Sequence, residues 1–368
     1  MFSEGTLQCF RKGRPSGRPP KRVSSSGFSR GGNSIKKQTA SISPTQKLAS
    51  PAARGKFRRR LLSWYDRERR DLPWRGQHDP YRIWISEIML QQTRVAAVIA
   101  HYQRFLERFP DVRALAAASV DSVLAVWSGL GYYRRARMLH QAAKVIAGQH
   151  GGELPRSAAE LQRLPGFGRY TAAAVASIAF AEPLGVVDGN VERVLARLLA
   201  GQGSAGAEAW EAAQQLLAPD RPGDFNQAMM ELGATLCLPG EPQCARCPVI
   251  QWCKTRGHGA TKNKERRRRR NAHYRLARRE DAVFLVQRGP RVSLMPGMWE
   301  LPEVRVNGAR PQVAFQLRHA ITVTDFTIEV SLGEPPPRRR GRWLSRAQVE
   351  ELPLTGLTRK ILRRANFI

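Results

Sequence analysis

The sequence of 368 residues contains no run of about 18 apolar residues, so no segment can span a membrane as a helix. It also lacks an apolar signal-peptide core near its start, and export to an oxidising compartment is therefore not expected. Disulfides are disfavoured for the same reason. Of the five cysteines, only Cys9 lies outside residues 237–253. The thiols are thus grouped, as a metal site requires, and are not spread along the chain as disulfide-forming cysteines would be.

Acidic residues are scarce, with 30 Asp+Glu against 61 Lys+Arg and a formal net charge of +31. This excess indicates an anionic polymer as partner, because neutralising its phosphates releases counterions. The alternative is a basic disordered tail on a neutral enzyme, and part of the excess is of that kind. Residues 1–56 contain one acid, Glu4, and almost no apolar clustering, which predicts a disordered cationic arm. Its composition also fits an organellar transit peptide or a mis-assigned start codon.

From Phe57 to about Phe180 the apolar residues recur with helical spacing, for example over 95–109, 119–130 and 135–148. Further helices are predicted over 189–200, 207–217 and 226–236. A mainly helical body is therefore expected over 57–253, ending in the cysteine loop 237–253.

The character of the chain changes after the cysteine loop. Residues 254–280 form a charge run that predicts a solvated basic linker. From Asp281 the short β-prone runs AVFLVQ, RVSLM and FTIEVSL appear, with a closing helix near 357–365. A small α+β domain is predicted over 281–368.

The segment LQRLPGFGRYTAAAVASIAF (161–180) predicts a helix, a tight turn and a second helix beginning near Thr171. Gly166 and Gly168 are expected to adopt positive φ and to bring their amides close to a ligand. With the helix N-terminus that follows, these amides would hold a phosphate oxygen. The alternative is a simple connection between two helices.

The cysteines are separated by six, two and five residues, in CLPGEPQCARCPVIQWC (237–253). This grouping leaves a zinc site and an iron–sulfur cluster open. Six residues separate the first two cysteines, whereas a zinc ribbon has two C-x2-C pairs. Structural zinc sites are nevertheless often built from four cysteines.

LPGFGRYTA followed by VVDGNVERVLARL resembles the helix-hairpin-helix DNA glycosylase superfamily. Within it, LLSWYDRERRDLPWR, SEIMLQQTRV, GLGYYRRARMLHQAA and FNQAMMELGATLC are similar to the MutY-type adenine DNA glycosylases, from about residue 60 to 253. The resemblance implies a helix-hairpin-helix glycosylase body followed by a Nudix-like domain. It also implies that the loop binds a [4Fe–4S] cluster and pins Arg246 and Lys254 near DNA. The implied cluster ligands are Cys237, Cys244, Cys247 and Cys253.

Removal of a base breaks an N-glycosidic bond through an oxocarbenium-like state, which calls for one acid to protonate the base and one carboxylate to stabilise the sugar. The resemblance assigns these roles to Glu87 and Asp188. The residues alone leave Glu87 open as an exposed helix glutamate, whereas an N-cap role for Asp188 is compatible with catalysis. Tyr170 stands where bifunctional relatives carry a lysine, so strand cleavage is not expected. Tyr170 is expected to support Asp188 or the sugar, and Asn190 to hold the loop or contact the strand.

The target base must leave the duplex to be reached. The resemblance implies that Gln92 and Tyr132 enter the stack, with Leu90 and Leu130 lining the same place. For Tyr132 and Leu130 the alternative is ordinary packing at a helix end. The adenine pocket is implied to include Trp74, Arg75 and Gln227. Three further arginines are expected to serve phosphates or solvent: Arg134, Arg135 and Arg137.

LMPGMWELPE (294–303) and the segment 342–362 resemble the Nudix-like domain of the same family, but the acidic box of Nudix hydrolases is absent. Pyrophosphate hydrolysis is therefore not expected. Where the family has a Phe-Ser-His loop, this chain has Ile321, Thr322 and Val323. Reduced selectivity for 8-oxoguanine over guanine is the expected consequence.

These features together predict a monofunctional glycosylase that excises adenine opposite 8-oxoguanine or guanine in double-stranded DNA. The expected form is a cytoplasmic, bacterial, nucleoid-associated monomer. Two alternatives stay open: a glycosylase for another base, such as T in T:G, and an iron–sulfur protein that binds DNA without chemistry.

Overall fold

The computed structural model describes Leu48 and residues 50–199, 206–257, 267–292, 294–304, 311–321, 323–337 and 340–368. All of these residues belong to one compact unit, Ile42–Ile368. Most of the predicted arm and Thr322 lie outside the described residues. No helix in the described part of the chain is both long and apolar enough to cross a membrane.

The first described helix, α1, covers Pro51–Glu68 and begins before the predicted end of the arm at residue 56. Ser50 is its N-cap, with the side-chain oxygen accepting a hydrogen bond from the amide of Ala53 at 3.2 Å. A serine cap followed by proline at the first helical position is a strong start signal. The arm prediction was therefore wrong over residues 51–56.

The ends of the six helices predicted over 95–109, 119–130, 135–148, 189–200, 207–217 and 226–236 lie within four residues of the prediction. After α1, the described residues of the body form ten helices. They are α2 (Pro80–Leu90), α3 (Val95–Arg108), α4 (Val112–Ala117), α5 (Val120–Trp127), α6 (Arg134–Gln149), α7 (Ala158–Leu161), α8 (Arg169–Phe180), α9 (Gly189–Leu198), α10 (Gly206–Leu216) and α11 (Pro222–Thr235). The cysteine loop contains the 3₁₀ turns Cys244–Arg246 and Ile250–Trp252.

The body has two lobes, each with its own apolar core. One core is formed by the helices from α2 to α8 and includes Trp84, Phe105 and Trp127. The other joins α1 to α9, α10, α11 and the cysteine loop, and includes Phe57 and Trp252. Because α1 packs against elements that follow it by more than 100 residues, the second lobe closes only when both ends of the body are in place.

The helix-turn-helix connection is formed by α7, the turn and α8. Gly166 has φ +79°, and a Cβ there would lie 2.8 Å from the Cβ of Met138, so the turn requires glycine. Gly168 differs from the prediction: its φ is −76°, and it serves as the N-cap of α8. Only the first glycine therefore needs the left-handed conformation.

The C-terminal region is α+β, with two small sheets and two helices. Its elements are β1 (Arg268–Leu276), β2 (Arg278–Arg279), β3 (Ala282–Gln287), β4 (Trp299–Glu300), β5 (Phe315–Ile321), β6 (Thr324–Leu332), β7 (Arg342–Ser345), α12 (Arg346–Glu351) and α13 (Gly356–Arg364). One sheet has the order β1-β6-β5, with β1 parallel to β6. In the other, β3 pairs with β2, β4 and β7.

Two predictions for this region were wrong. The predicted linker 254–280 includes β1, in which His273, Tyr274 and Leu276 are buried. The many arginines of this segment indicated a solvated linker, so these buried positions were not recognised from the sequence. The run RVSLM (291–295) forms no strand in its described residues.

The C-terminal region packs directly on the body. Met298 is fully buried within the core of the first lobe, and the guanidinium of Arg137 donates to the carbonyl of Pro296 at 2.6 Å. The hydroxyls of Ser128 and Tyr133 both donate to the carbonyl of Leu354, at 2.8 and 3.3 Å. The loop between α5 and α6 is therefore held by the C-terminal region.

Candidate active site

A cavity of about 1110 Å³ lies between the two lobes. We call it the central cavity. It is lined by Glu87, Tyr170 and Asp188, which come from the end of one lobe and the start of the other. Other predicted site residues in its lining are Trp74, Arg75, Leu90, Gln92, Gly166, Gly168 and Asn190. The structure therefore brings both predicted carboxylates to one cavity.

Glu87 lies in the last two turns of α2 and is 6% exposed. Its Oε2 atom accepts a hydrogen bond from the hydroxyl of Tyr170 at 2.6 Å. Burial raises the pKa of Glu87, and the hydrogen bond from Tyr170 and the charge of Arg75 only partly oppose this shift. Glu87 is thus a buried acid that favours its protonated form, and it is not an exposed helix glutamate.

Asp188 is the N-cap of α9, as predicted. Its Oδ1 atom accepts from the amides of Asn190 and Val191 at 2.9 and 2.7 Å, and its Oδ2 atom accepts from the side-chain amide of Asn190 at 3.0 Å. Burial raises the pKa of Asp188, whereas these three hydrogen bonds lower it. Burial outweighs the donors in the direction of the pKa shift, although all three donors favour the charged form.

Asn190 fixes the side chain of Asp188 and is itself fixed by Arg193, whose Nη2 atom donates to the Asn190 Oδ1 atom at 2.8 Å. Gly233 lies against Asn190, and a Cβ at position 233 would come within 2.7 Å of the Asn190 Cβ. The predicted loop-holding role of Asn190 corresponds to these contacts.

Tyr170 contacts Glu87 and not Asp188, which differs from the prediction. Its hydroxyl also lies 3.4 Å from the sulfur of Met230. Burial, followed by the charges of Glu87 and Asp188, raises the pKa of Tyr170 well above its ordinary value. The hydroxyl therefore stays protonated and acts as a donor to Glu87.

A buried ion-pair network supports one wall of the cavity. The carboxylate of Glu231, which is almost fully buried, accepts from Arg70 Nε at 2.6 Å and from Arg75 Nη2 at 2.9 Å. Although burial acts to raise it, the hydrogen bonds and charges of Arg70 and Arg75 lower the pKa of Glu231. Gln227 accepts a hydrogen bond from Arg75 and does not line the central cavity. Its influence on the site therefore passes through Arg75.

Sequence reasoning missed Glu231 and Arg70. A single acid among the apolar residues of MMELGA was the available signal, because a charged residue in a buried helix face needs a partner. Trp74, which the resemblance assigns to the adenine pocket, lines the central cavity; it is 5% exposed, and its ring meets that of Tyr102 edge-on at 5.4 Å.

Gln92 and Tyr132 are both exposed, and both have positive φ, at 56° and 49°. They line a second cavity of about 370 Å³, the rim cavity, which also includes Gly166. Leu90 is partly buried, and Leu130 is 6% exposed within the body core. Ordinary packing therefore accounts for Leu130, whereas Tyr132 projects from its loop.

Arg135 joins the two loops that carry Gln92 and Tyr132. Its guanidinium donates to the carbonyls of Ile88 and Met89 at 2.7 and 3.0 Å, to the Thr93 hydroxyl at 3.0 Å, and also to the carbonyl of Gln91. On the other loop it donates to the carbonyl of Gly131 at 3.3 Å and lies 5.3 Å from the centre of the Tyr132 ring.

Burial lowers the pKa of Arg135 to about 10. The expectation that Arg135 serves phosphates or solvent was wrong, because its donors are directed to protein carbonyls. Arg134 is exposed, and Arg137 contacts the C-terminal region. Arg135 therefore links the two loops at the rim of the site.

The four cysteines of the loop are free and partly buried. Burial, the neighbouring Cys237 and Cys253 thiols and that of Cys244 raise the pKa of Cys247 to about 11. Arg197 Nη1 donates to the sulfur of Cys237 at 3.2 Å. Among the described residues, no group of three or more His, Cys, Asp or Glu side chains is arranged so that it could hold a metal ion. The all-thiol donor set itself suits a soft metal centre.

Comparisons with known proteins place the chain among DNA repair glycosylases. A family model for the HhH-GPD superfamily of base excision DNA repair proteins matches residues 85–219. The adenine DNA glycosylase of Mycobacterium tuberculosis is 45% identical over 205 residues, covering 54% of this chain and 67% of that protein. That of Mus musculus is 49% identical over 233 residues, covering 58% of this chain and 44% of the mouse protein.

The chain thus spans less than half the length of the mouse relative. Among solved structures, a thermostable thymine-DNA glycosylase is 31% identical with a TM-score of 0.50, and the match covers 55% of this chain and 95% of that one. The Mycobacterium tuberculosis relative, at 45% identity, is matched over two thirds of its length. The chain therefore belongs to the MutY-type adenine DNA glycosylase family of the HhH-GPD superfamily.

Proposed function

We propose that the protein is a monofunctional DNA glycosylase that hydrolyses the N-glycosidic bond of adenine paired with 8-oxoguanine or guanine. The observation that carries the proposal is the shared cavity of Glu87 and Asp188, two carboxyl groups from separate lobes. Base excision needs two acids at one sugar. A protein that only bound DNA would not need a buried acid beside a second carboxylate.

In the proposed reaction, Glu87 donates its proton to the imidazole ring of the flipped adenine. The N-glycosidic bond breaks with its electron pair leaving on the base, and the Asp188 carboxylate stabilises the cationic sugar. Glu87, now ionised, takes a proton from water as the water oxygen bonds to the sugar carbon, which regenerates the acid. The pKa of Glu87, raised by burial, supports its starting role.

Tyr170 supports the absence of lyase activity. Covalent strand cleavage requires a positioned amine that forms a Schiff base. As far as the described residues show, the lining of the central cavity includes arginines but no lysine. Tyr170 instead donates to Glu87 and orients the acid toward the base.

We further propose that Gln92 and Tyr132 enter the duplex from the rim cavity and contact the partner base. Their exposure and their place on two loops fixed by Arg135 support this role. The C-terminal region, which we propose is Nudix-like, lies behind the Tyr132 loop through Ser128 and Tyr133. Ile321 and Val323 occupy the place of the family's Phe-Ser-His loop, so selectivity for 8-oxoguanine over guanine should be reduced.

The cysteine loop is proposed to hold a [4Fe–4S] cluster through Cys237, Cys244, Cys247 and Cys253. When bound, such a cluster would cross-link the two ends of the loop, at Cys237 and Cys253, to its middle. The packing of Trp252 against Phe57, with ring centres 5.5 Å apart, already places the loop on α1. Iron and acid-labile sulfide in freshly purified protein would support the assignment, and stoichiometric zinc in its place would contradict it.

The deciding experiment measures base release from duplexes that pair A with 8-oxoguanine, A with G, and T with G. Hot alkali reveals abasic sites, and a parallel sample without alkali reveals lyase cleavage. We expect release of adenine from both A-containing duplexes and no cleavage before alkali. Preferential release from T:G would instead favour the activity that the solved thymine-DNA glycosylase is named for. Binding without any release would favour a DNA-binding protein.

A further inference from the structure

A groove of about 690 Å³ runs between α1 and the cysteine loop. We call it the α1 groove. Five of the residues that line it are cationic and none is acidic: Lys56, Arg59, Arg60, Arg67 and Arg246. All five are exposed, and the ion pairs found among the described residues include none of them. None of the five therefore forms an ion pair among the described residues, although the charge of Arg67 helps to lower the pKa of the neighbouring Asp66, after the larger effect of Arg221.

The groove is a built surface with walls from distant parts of the chain. Trp64 and Trp252 line it and are 7% and 6% exposed, so their buried rings fix the base of the groove. Trp252 meets Phe57 edge-on, which holds the loop wall against the helix wall. Arg58, on another face of α1, donates to the carbonyl of Leu216 and does not line the groove.

The cations on the helix wall recur along one face of α1. Lys56, Arg60 and Arg67 lie at i, i+4 and i+11, and Ser63 occupies the turn between them. At 1.5 Å per residue this stripe is about 16 Å long. Because each strand of a duplex presents a phosphate about every 3.4 Å along the axis, the stripe spans about five nucleotides.

The end of α1 leads toward the central cavity. Arg70, two residues beyond the helix, lines that cavity and pairs with Glu231. The acids close to the stripe do not enter the groove: Asp66 pairs with Arg221 at 2.7 Å. By contrast, the cleft between the body and α13 mixes arginines with three acids, Asp121, Glu350 and Glu351.

We infer that the α1 groove is an auxiliary binding site for the phosphate backbone of DNA, separate from the base pocket. The inference rests on the proposed function only in that DNA is the polyanion. A row of cations without ion-pair partners, which ends beside the central cavity, suits a continuous phosphodiester chain better than a single phosphate ion. Such a site would add sequence-independent affinity and would leave base recognition unchanged.

The test compares the full-length protein with its Lys56→Gln/Arg60→Gln variant on an undamaged duplex. Kd is measured between 50 and 200 mM salt. If both cations contact phosphates, the slope of log K against log[salt] becomes shallower by about 2, and binding at 0.1 M salt weakens roughly 10- to 60-fold. The Arg340→Gln/Arg342→Gln variant, which loses the same charge at exposed positions of the C-terminal region, should keep a slope within about half a unit of the wild type.

An unchanged slope in the groove variant would overturn the inference, as would an equal loss in the control. Binding of polyglutamate that depends on Lys56 and Arg60, with DNA binding unaffected, would assign the groove to an acidic peptide and also overturn it. Adenine release under single-turnover conditions at saturating protein should be the same in variant and wild type. Because affinity for undamaged DNA and base release are measured apart, failure of the proposed function is distinguishable from failure of the groove.

Discussion

The central cavity and the α1 groove differ in how they hold their charges. In the cavity, Glu87 and Glu231 are buried and Asp188 is half-buried, and each accepts a hydrogen bond from a defined donor. In the groove, five cations are exposed around a rigid aromatic base. Buried charges interact strongly with their partners, whereas the interactions of exposed charges are screened by salt. The cavity should therefore respond to pH and to single atoms, and the groove to ionic strength and to total charge.

The largest expected effect is that of Glu87→Gln, which keeps the shape of the side chain and removes the acidic proton. Adenine release in single-turnover assays should fall by roughly 10³–10⁴-fold, the upper range for loss of a general acid. Binding to an A:8-oxoguanine duplex should be retained. Glu107→Gln, at an exposed position of α3, provides the matched control and should release adenine at the wild-type rate. Full turnover by the Glu87 variant would remove Glu87 from the mechanism.

Asp188→Asn separates charge from helix capping. Asparagine caps a helix about as well as aspartate, so the thermal midpoint should stay close to that of the wild type. Loss of the negative charge beside the sugar should slow release by about 10²–10³-fold, as for loss of an electrostatic stabiliser. Asp111→Asn makes the same change at the N-cap of α4 and should leave release unchanged. A rate loss matched by that control would reduce Asp188 to a structural cap.

Arg135 and Arg60 sharpen the contrast between buried and exposed cations. Arg135→Lys removes the planar fork that reaches several acceptors at once, which should cost about 1–3 kcal/mol of unfolding free energy. Arg60→Lys keeps the charge in the groove and should change that free energy by no more than about 0.5 kcal/mol. Urea titrations of both variants provide the comparison. If they were equally stable, the hydrogen bonds from Arg135 to the two loops would carry little energy.

The same contrast explains what the sequence could predict. Helices α3, α5 and α6 were predictable because the periodicity of their apolar residues is local, and Asp188 was recognisable as a cap beside its own helix. The partners of Arg135 and Glu231 were not predictable, since they lie 44 and 161 residues away in the chain. Strand β1 was missed for a related reason: its pairing with β6 outweighs the arginine-rich composition that indicated a linker.

The Tyr170→Phe substitution tests whether Glu87 must be protonated for adenine to be released. Release should decline as pH rises through the pKa of Glu87, which burial has raised. The hydrogen bond from Tyr170 favours the carboxylate, so Tyr170→Phe should raise that pKa further and move the decline to higher pH. The plateau rate should also fall by about tenfold, because the acid loses a hydrogen bond that orients it. Tyr81→Phe removes another buried hydroxyl, which donates to the carbonyl of Phe109, and should leave the pH profile in place.

Stability should show the same shift with the same sign. The folded-state pKa of Glu87 lies above its unfolded value, so its contribution to stability is complete below the unfolded-state pKa and is lost as pH rises through the folded-state pKa. In Tyr170→Phe that loss should occur at higher pH, which thermal unfolding across the same buffers would detect. If rate and stability profiles both stayed where they are in the wild type, the 2.6 Å contact between Tyr170 and Glu87 would have no influence on the proton that the proposed reaction uses.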